Sequence, residues 1–171
     1  MKQLILGGAR SGKSRLAETR AEASGKRVIY VATAQAWDKE MEERILRHRE
    51  QRPSQWQLIE EPVALADVMR THATADTCLL VDCLTLWVTN LLLAEPGTLE
   101  RELEALYKVL GDLPGELILV SNEVGWGIVP MGELSRQFQD QAGWLHQRLG
   151  EICERVTLTV AGIPMEIKQP S

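Results

Sequence analysis

The sequence predicts an α/β fold in which helices cover both faces of a mainly parallel sheet. Short β-branched or Leu-rich runs alternate with longer polar segments that carry apolar residues three or four positions apart. This alternation is typical of consecutive strand–helix–strand units. The run Cys78–Val81 is continuously apolar and ends at Asp82, as expected for a central strand that is buried on both faces.

Six strands and two clear helices follow from these patterns. One helix, Glu133–Glu154, has an apolar stripe that runs from Leu134 to Ile152, and Arg136 and Asp140 are spaced to form an ion pair on its other face. The other, Asp38–Gln51, has few apolar residues, so we expect it to be weakly buried and able to move. The predicted strands are Gln3–Leu6, Arg27–Ala32, Trp56–Glu60, Thr77–Asp82, Glu116–Ser121 and Arg155–Ala161.

Length, charge and cysteine content narrow the class of protein. The 171 residues are expected to form a single domain, 1–171. The net charge of −5 offers no broad cationic surface for nucleic acid. Three cysteines without a C-x-x-C pair argue against a disulfide framework. With no signal-peptide core and no apolar run that could span a membrane, the sequence predicts a cytoplasmic protein.

The strongest motif is Gly7-Gly-Ala-Arg-Ser-Gly-Lys13-Ser14, which fits G-x-x-x-x-G-K-[ST]. It follows a predicted strand and opens a predicted helix, as a P-loop requires. Backbone N–H groups of such a loop surround phosphate oxygens, the lysine reaches the β- and γ-phosphates, and the serine hydroxyl binds Mg²⁺. The alternative is a glycine-rich structural turn, but the flanking elements favour a nucleotide site.

Asp82 is the candidate for a second Mg²⁺-binding group. It closes the apolar run of a predicted central strand, where P-loop enzymes place a metal-binding carboxylate. The alternative is that Asp82 caps the helix that follows.

A basic cluster lies on the weakly buried helix. Arg44, His48 and Arg52 are spaced at i, i+4 and i+8, so they share one face. Such a face favours an anion such as triphosphate, although a solvated basic surface would have the same pattern. An imidazole is mostly neutral at pH 7 and is therefore available as a base or nucleophile toward phosphorus.

Two further segments follow predicted strands at the edge where open α/β sheets bind ligands. They are Thr33–Gln35 and the glycine-rich loop Asn122–Pro130, for which a tight structural turn is an equal alternative. His72 and His146 have no cluster around them and are expected to be structural. The five tryptophans are scattered and form no stacking platform.

Five blocks together resemble one enzyme family. They are GGARSGKS at 7–14, ATAQ at 32–35, R-I-x-x-H-R-x-x-R-P at 44–53, LLVDCLTLWVTNLL at 79–92 and NEVGWGIVP at 122–130. In this order they resemble the bifunctional adenosylcobinamide kinase / adenosylcobinamide-phosphate guanylyltransferase family of cobalamin biosynthesis. Arg47 stands where some members have a second histidine, so His48 is the only imidazole in its block.

The resemblance implies two reactions on a P-loop NTPase-type, RecA-like fold. ATP or GTP would phosphorylate adenosylcobinamide, and GTP would then donate GMP to that phosphate through a guanylylated His48, with Lys13 as a second catalytic residue. It also implies Mg²⁺ held by Ser14 and Asp82, and a homotrimer. The implied nucleotide site is Gly7, Gly8, Ala9, Arg10, Ser11, Gly12, Lys13, Ser14, Thr33, Ala34, Gln35, Arg49, Glu50, Gln51, Arg52, Glu60 and Asp82.

Two other functions stay open from the sequence. A P-loop kinase of another small metabolite would use His48 and its arginines only to bind phosphate. A nucleotide-dependent switch protein is disfavoured, because the chain has no N-K-x-D guanine-reading motif.

Overall fold

Seven strands form one sheet in the part of the chain that the computed structural model describes, residues 1–35, 39 and 53–170. The strands are β1 (Lys2–Gly7), β2 (Arg27–Ala32), β3 (Gln57–Glu60), β4 (Thr77–Asp82), β5 (Glu116–Asn122), β6 (Arg155–Val160) and β7 (Ile163–Lys168). Their spatial order is β3-β2-β4-β5-β1-β6-β7. All pairs are parallel except β6 with β7.

Helices lie on both faces of the sheet, as the sequence predicts. They are α1 (Lys13–Ala23), α2 (Leu65–His72), α3 (Leu84–Leu93), α4 (Thr98–Gly111) and α5 (Glu133–Ile152). On one face, α1 buries Ala17 and Ala21 against alternate residues of the central strands. The other four helices cover the opposite face, where Trp87 of α3 is completely buried.

The central strands follow the apolar runs of the sequence. In β4 every residue except Asp82 is buried, and β5 buries all of Leu117–Ser121. Because helices cover both faces here, neither face needs polar residues, and the run is continuous rather than alternating. The predicted central strand is therefore confirmed.

Strand β7 was not expected from the sequence. All six of its residues are exposed, and it pairs with β6 through a tight turn at Ala161 and Gly162, whose φ angles are 52° and 79°. Two positive φ angles are typical of the two-residue hairpin turns that match strand twist. The N–H of Gly162 also donates to the carbonyl of Ser11 at 2.8 Å, so this hairpin contacts the segment between β1 and α1.

Of the two predicted helices, one is confirmed and the other lies almost entirely outside the described residues. Helix α5 matches the predicted helix at its start and ends two residues earlier than expected. The predicted ion pair is wrong, because Arg136 donates to the carbonyls of Pro130 and Met131 rather than to Asp140. The predicted helix Asp38–Gln51 lies, apart from Lys39, outside the described residues.

Among the helices of the described ranges, none combines the length and apolar character that crossing a membrane would require.

The three cysteines are free and buried, in agreement with the sequence prediction. Burial raises the pKa of the Cys78 and Cys83 thiols to about 11, and that of Cys153 to about 12. Since the thiolate is the reactive form, all three should be inert in the native protein.

We therefore predict almost no reaction of native protein with the thiol reagent DTNB at pH 7.5 over several minutes. After unfolding in urea, all three thiols should react. Absorbance at 412 nm measures both states. A rapid native reaction would contradict the buried environment, and fewer than three thiols after unfolding would indicate a disulfide.

Candidate functional site

The carboxyl ends of the six parallel strands, β1 to β6, meet at one edge of the sheet. Gly7 at the end of β1 pairs with Asn122 of β5, and Ala32 of β2 pairs with both Asp82 of β4 and Glu60 of β3. Strand β5 lies between β1 and β4, so it separates the P-loop from Asp82 by one strand. The topology thus brings residues distant in sequence to the edge where such sheets bind ligands.

The P-loop connects β1 to α1 and has a conformation that needs its glycines. A Cβ atom at Gly7 would lie 2.3 Å from the Ser11 Oγ and 2.8 Å from the Thr159 carbonyl oxygen. Gly12 has a φ of 92°, which L side chains rarely adopt. Both positions therefore require glycine for steric reasons, independently of any ligand.

The N-terminus of α1 is free of side-chain caps. Within the described residues no side chain bonds its first turn, and its first regular backbone bond runs from the Leu16 N–H to the Gly12 carbonyl at 3.0 Å. The open N–H groups of α1, at the positive end of its dipole, are suited to bind an anion.

Lys13 adds a positive charge to this anion site. Its side chain is buried, and its Nζ donates to the carbonyl of Gly8 at 3.1 Å. An ammonium group has three donors, so this bond leaves others for phosphate oxygens. The lysine is thus held over the loop, where it can neutralise charge on a bound phosphate.

Ser14 and Asp82 fit a magnesium ion by their chemistry. Neither the Ser14 hydroxyl nor the Asp82 carboxylate has a hydrogen-bond partner within residues 1–35, 39 and 53–170. Asp82 therefore does not cap α3, whose N-cap is Cys83 without a side-chain bond. Magnesium commonly takes one or two protein oxygens and completes its shell with phosphate and water, which a hydroxyl and a carboxylate at this edge suit.

Thr33 has a different role from its neighbours in the expected nucleotide site. It is completely buried, and its Oγ1 donates to the Cys83 carbonyl at 2.7 Å and accepts the Cys83 N–H at 3.0 Å. The Nδ2 of Asn90 donates to the Thr33 carbonyl at 2.8 Å. These bonds join the ends of β2 and β4, whereas Ala34 and Gln35 are partly exposed at the same edge.

A second polar cluster joins β4 to β5. The Thr85 Oγ1 lies 3.0 Å from the Cys83 Sγ and accepts the Asn122 side-chain amide at 3.0 Å. Sequence reasoning missed the hydrogen bonds of Cys83, Thr85 and Asn90, because their partners Thr33 and Asn122 lie far away in the sequence. Together with Thr33, they fix the backbone on either side of Asp82.

His146 of α5 pairs with the end of β5. Its Nε2 lies 2.7 Å from the Oγ of Ser121, which is completely buried. Burial lowers the pKa of His146, and the Glu123 carboxylate opposes this effect to a smaller extent. The histidine is therefore held in its neutral form, as a structural hydrogen-bond partner.

The remaining expected site residues divide into two groups. Glu60 is exposed at the end of β3, on the same edge as Asp82. The others lie outside the described residues: Arg44, His48, Arg49, Glu50, Gln51 and Arg52.

Comparison with known proteins identifies the family. A model described as cobinamide kinase / cobinamide phosphate guanyltransferase matches residues 3–167. The chain belongs to this family. It is therefore an enzyme, a bifunctional kinase and guanylyltransferase, and the resemblance found in the sequence motifs is confirmed.

Two relatives extend this family match. The chain is 63% identical over 169 residues to the bifunctional adenosylcobalamin biosynthesis protein CobP of Pseudomonas aeruginosa, and the alignment covers 98% of each chain. It is 38% identical over 179 residues to the corresponding CobU protein of Salmonella typhimurium, covering 96% of this chain and 98% of the relative.

Solved structures of other proteins share the fold of this family member. A Pyrococcus horikoshii protein superposes with a TM-score of 0.60 at 11% identity, covering 99% of this chain and 87% of that one. The RadB recombinase superposes with a TM-score of 0.52 at 19% identity, covering 92% and 73%. The likeness is one of fold alone, and it confirms the predicted P-loop NTPase-type, RecA-like architecture.

The His146–Ser121 pair predicts a pH-dependent contribution to stability. In the unfolded chain His146 protonates near its ordinary pKa of about 6.5, whereas burial lowers the pKa of this histidine in the folded protein. The free energy of unfolding should therefore fall as pH drops below about 6.5. His146→Gln, which retains a hydrogen-bonding side chain, should show less of this loss. Urea unfolding of both proteins at pH 7.5 and 5.5 measures the difference, and an equal pH dependence would contradict it.

Proposed function

We propose that this enzyme phosphorylates adenosylcobinamide with ATP or GTP and then transfers GMP from GTP to the product. The final products would be adenosylcobinamide-GDP and pyrophosphate. The observation that carries the proposal is the open N-terminus of α1, with Lys13 folded over the P-loop and Asp82 at the same sheet edge. The family match supplies the two reaction types.

The kinase step needs no covalent intermediate with the protein. The hydroxyl of adenosylcobinamide attacks the γ-phosphorus, the bond from that phosphorus to the β-phosphate oxygen breaks, and the hydroxyl proton leaves. In this step Lys13 and the N–H groups at the start of α1 stabilise negative charge on the phosphates. Catalysis is thus mainly positioning and electrostatic stabilisation.

The guanylyltransferase step is proposed to use His48 as nucleophile. Its neutral ring nitrogen attacks the α-phosphorus of GTP, forms a P–N bond and releases pyrophosphate. An oxygen of adenosylcobinamide phosphate then attacks the same phosphorus and breaks the P–N bond. His48 lies outside the described residues, so its block at 44–53, with the arginines spaced around it, supports this assignment.

Magnesium would be held by Ser14 and Asp82 when the nucleotide is bound. It would neutralise charge on the phosphate oxygens in both reactions.

We also propose a homotrimer and a cytoplasmic location, as the family resemblance implies. The exposed strand β7 supports self-association, because Ile163, Met165 and Ile167 present apolar side chains along an outer strand. Three free cysteines suit a reducing compartment.

The competing assignment is that guanylyl transfer does not pass through His48. In that case His48 and its arginines would only position the triphosphate. A covalent GMP adduct on His48 distinguishes the two assignments, since direct transfer of GMP from GTP leaves no α-phosphate label on the protein.

We predict that His48→Ala eliminates the GMP adduct and guanylyl transfer but retains a substantial fraction of the kinase rate. Lys13→Ala should reduce both activities by about 10² or more, because both use the same phosphate cradle. The assays are acid-labile protein-bound label from α-labelled GTP and phosphorylation of cobinamide, on the same preparations. His48→Asn serves as a second variant that keeps a polar side chain without a nucleophilic nitrogen.

Label that persists on His48→Ala would refute the nucleophile assignment. Equal loss of both activities in His48→Ala would favour the competing assignment, in which His48 only positions the triphosphate.

A separate prediction concerns the metal. Asp82→Asn removes a negative charge from the proposed magnesium site, so the Mg²⁺ concentration for half-maximal activity should rise by about tenfold or more. A magnesium titration of the kinase rate measures this, with Asp76→Asn as a control at the opposite end of β4. An unchanged titration in Asp82→Asn would exclude a metal role for Asp82.

A further inference from the structure

The loop that joins β5 to α5, residues 123–132, exposes large apolar side chains to solvent. Ile128 is 95% exposed, Met131 96%, Trp126 76% and Val129 65%. Isolated exposed apolar residues are common, but several within six positions of one loop form a patch. Such a patch typically marks the binding surface of a ligand or partner.

The backbone of this loop is held in place by hydrogen bonds to its surroundings. The Glu123 N–H donates to the Gly7 carbonyl at 3.0 Å, and the Gln139 Nε2 donates to the Val124 carbonyl at 2.9 Å. At the other end, Arg136 donates to the carbonyls of Pro130 and Met131. The apolar side chains are thus presented on a positioned backbone, as a binding surface requires.

We propose that the β5–α5 loop is the surface on which the corrin ring of the acceptor substrate docks. This inference rests on the proposed function, because it assigns residues to the corrinoid of that same reaction. Trp126 and Ile128 are its central contacts, and both act by binding rather than in the chemical step.

The position of the β5–α5 loop favours the corrin ring as its ligand. The loop begins at the P-loop itself, since Asn122 pairs with Gly7 in the sheet and Glu123 bonds to the Gly7 carbonyl. The acceptor's hydroxyl or phosphate must reach a phosphorus atom of the nucleotide held by that P-loop. A macrocycle lying on the loop would therefore be beside the phosphates it must approach.

The charged residues of the loop also favour an uncharged, apolar ligand. The loop itself, residues 123–132, contains no lysine or arginine and carries one acidic residue, Glu123. The Arg136 guanidinium that reaches the loop donates to the carbonyls of Pro130 and Met131. This composition disfavours a second phosphate group, a nucleic acid or an anionic surface as the occupant. It suits the apolar face of a macrocycle, on which an indole can stack.

The apolar surface continues beyond the loop. Leu134 and Leu93 are about half exposed, and they border a cavity of about 180 Å³ between α3 and α5. Ligand pockets usually measure about 300–1,000 Å³, so this cavity can admit a peripheral group but not the ring. Its lining is Thr89, Leu92, Leu93, Leu134, Ser135 and Phe138.

The experiment measures corrinoid binding and nucleotide chemistry separately. Equilibrium dialysis with dicyanocobinamide gives the Kd of the full-length protein, its Trp126→Ala and Ile128→Ser variants, and Trp144→Ala. Trp144 is a matched control, because it is 59% exposed on α5 and lies outside the loop. Each protein is also assayed for the GMP adduct from α-labelled GTP without corrinoid, and for oligomeric state by light scattering.

We expect the Kd for dicyanocobinamide to rise about tenfold or more in both loop variants, as loss of a central contact that the ligand covers implies. Trp144→Ala should bind like the wild type. Adduct formation should be equal in all four proteins, because that reaction uses no corrinoid. The loop variants should also keep the wild-type oligomeric state.

Three results would overturn the proposal in distinguishable ways. Unchanged Kd in both loop variants, with wild-type binding and adduct intact, would exclude the loop as the corrin surface. Dissociation of the loop variants into smaller species would assign the patch to a second copy of this chain. A wild-type protein that neither binds dicyanocobinamide nor forms the adduct would instead overturn the proposed function on which the inference rests.

Discussion

Parallel pairing of β1, β5 and β4 is the constraint on which the candidate site depends. Each strand contributes a short segment at its carboxyl end, and the shared ladders set these segments side by side. The buried bonds of Thr33 and Thr85 then fix the backbone beyond the strands, on both sides of Asp82. A charged carboxylate can remain available at this edge because neighbouring uncharged side chains hold the structure.

Uncharged polar side chains hold the backbone of the site while the carboxylate of Asp82 stays available, and this difference in role has an energetic basis. Buried neutral hydroxyls and amides are stabilising only when they are hydrogen-bonded, and Thr33 and Asn90 meet that condition fully. A buried carboxylate that bonded its neighbours in the same way would lose the capacity to bind a ligand. The site therefore separates the residues that position its backbone from those whose side chains stay open to a ligand.

Local sequence patterns predicted most of the fold but not its long-range polar contacts. Continuous apolar runs identify β4 and β5, and the glycine spacing identifies the P-loop. Each of these signals is carried by residues that are close together in the sequence. The bond between Thr33 and Cys83 joins residues 50 positions apart and leaves no periodic trace in the sequence. Strand β7 escaped prediction because all its residues are exposed. Arg136 satisfies the predicted helical spacing for an ion pair, yet two loop carbonyls bind it instead.

The contact between the β6–β7 turn and the P-loop affects the order in which the chain can mature during synthesis. Gly162 bonds to Ser11, and the Gly162 Cα would lie only 3.1 Å from a Cβ at Gly12, so the turn forms a wall of the P-loop. The P-loop motif is synthesised before this wall, because residues 7–14 precede residues 161–162 in the chain. The loop can therefore acquire its final support only after the β6–β7 turn has also been made.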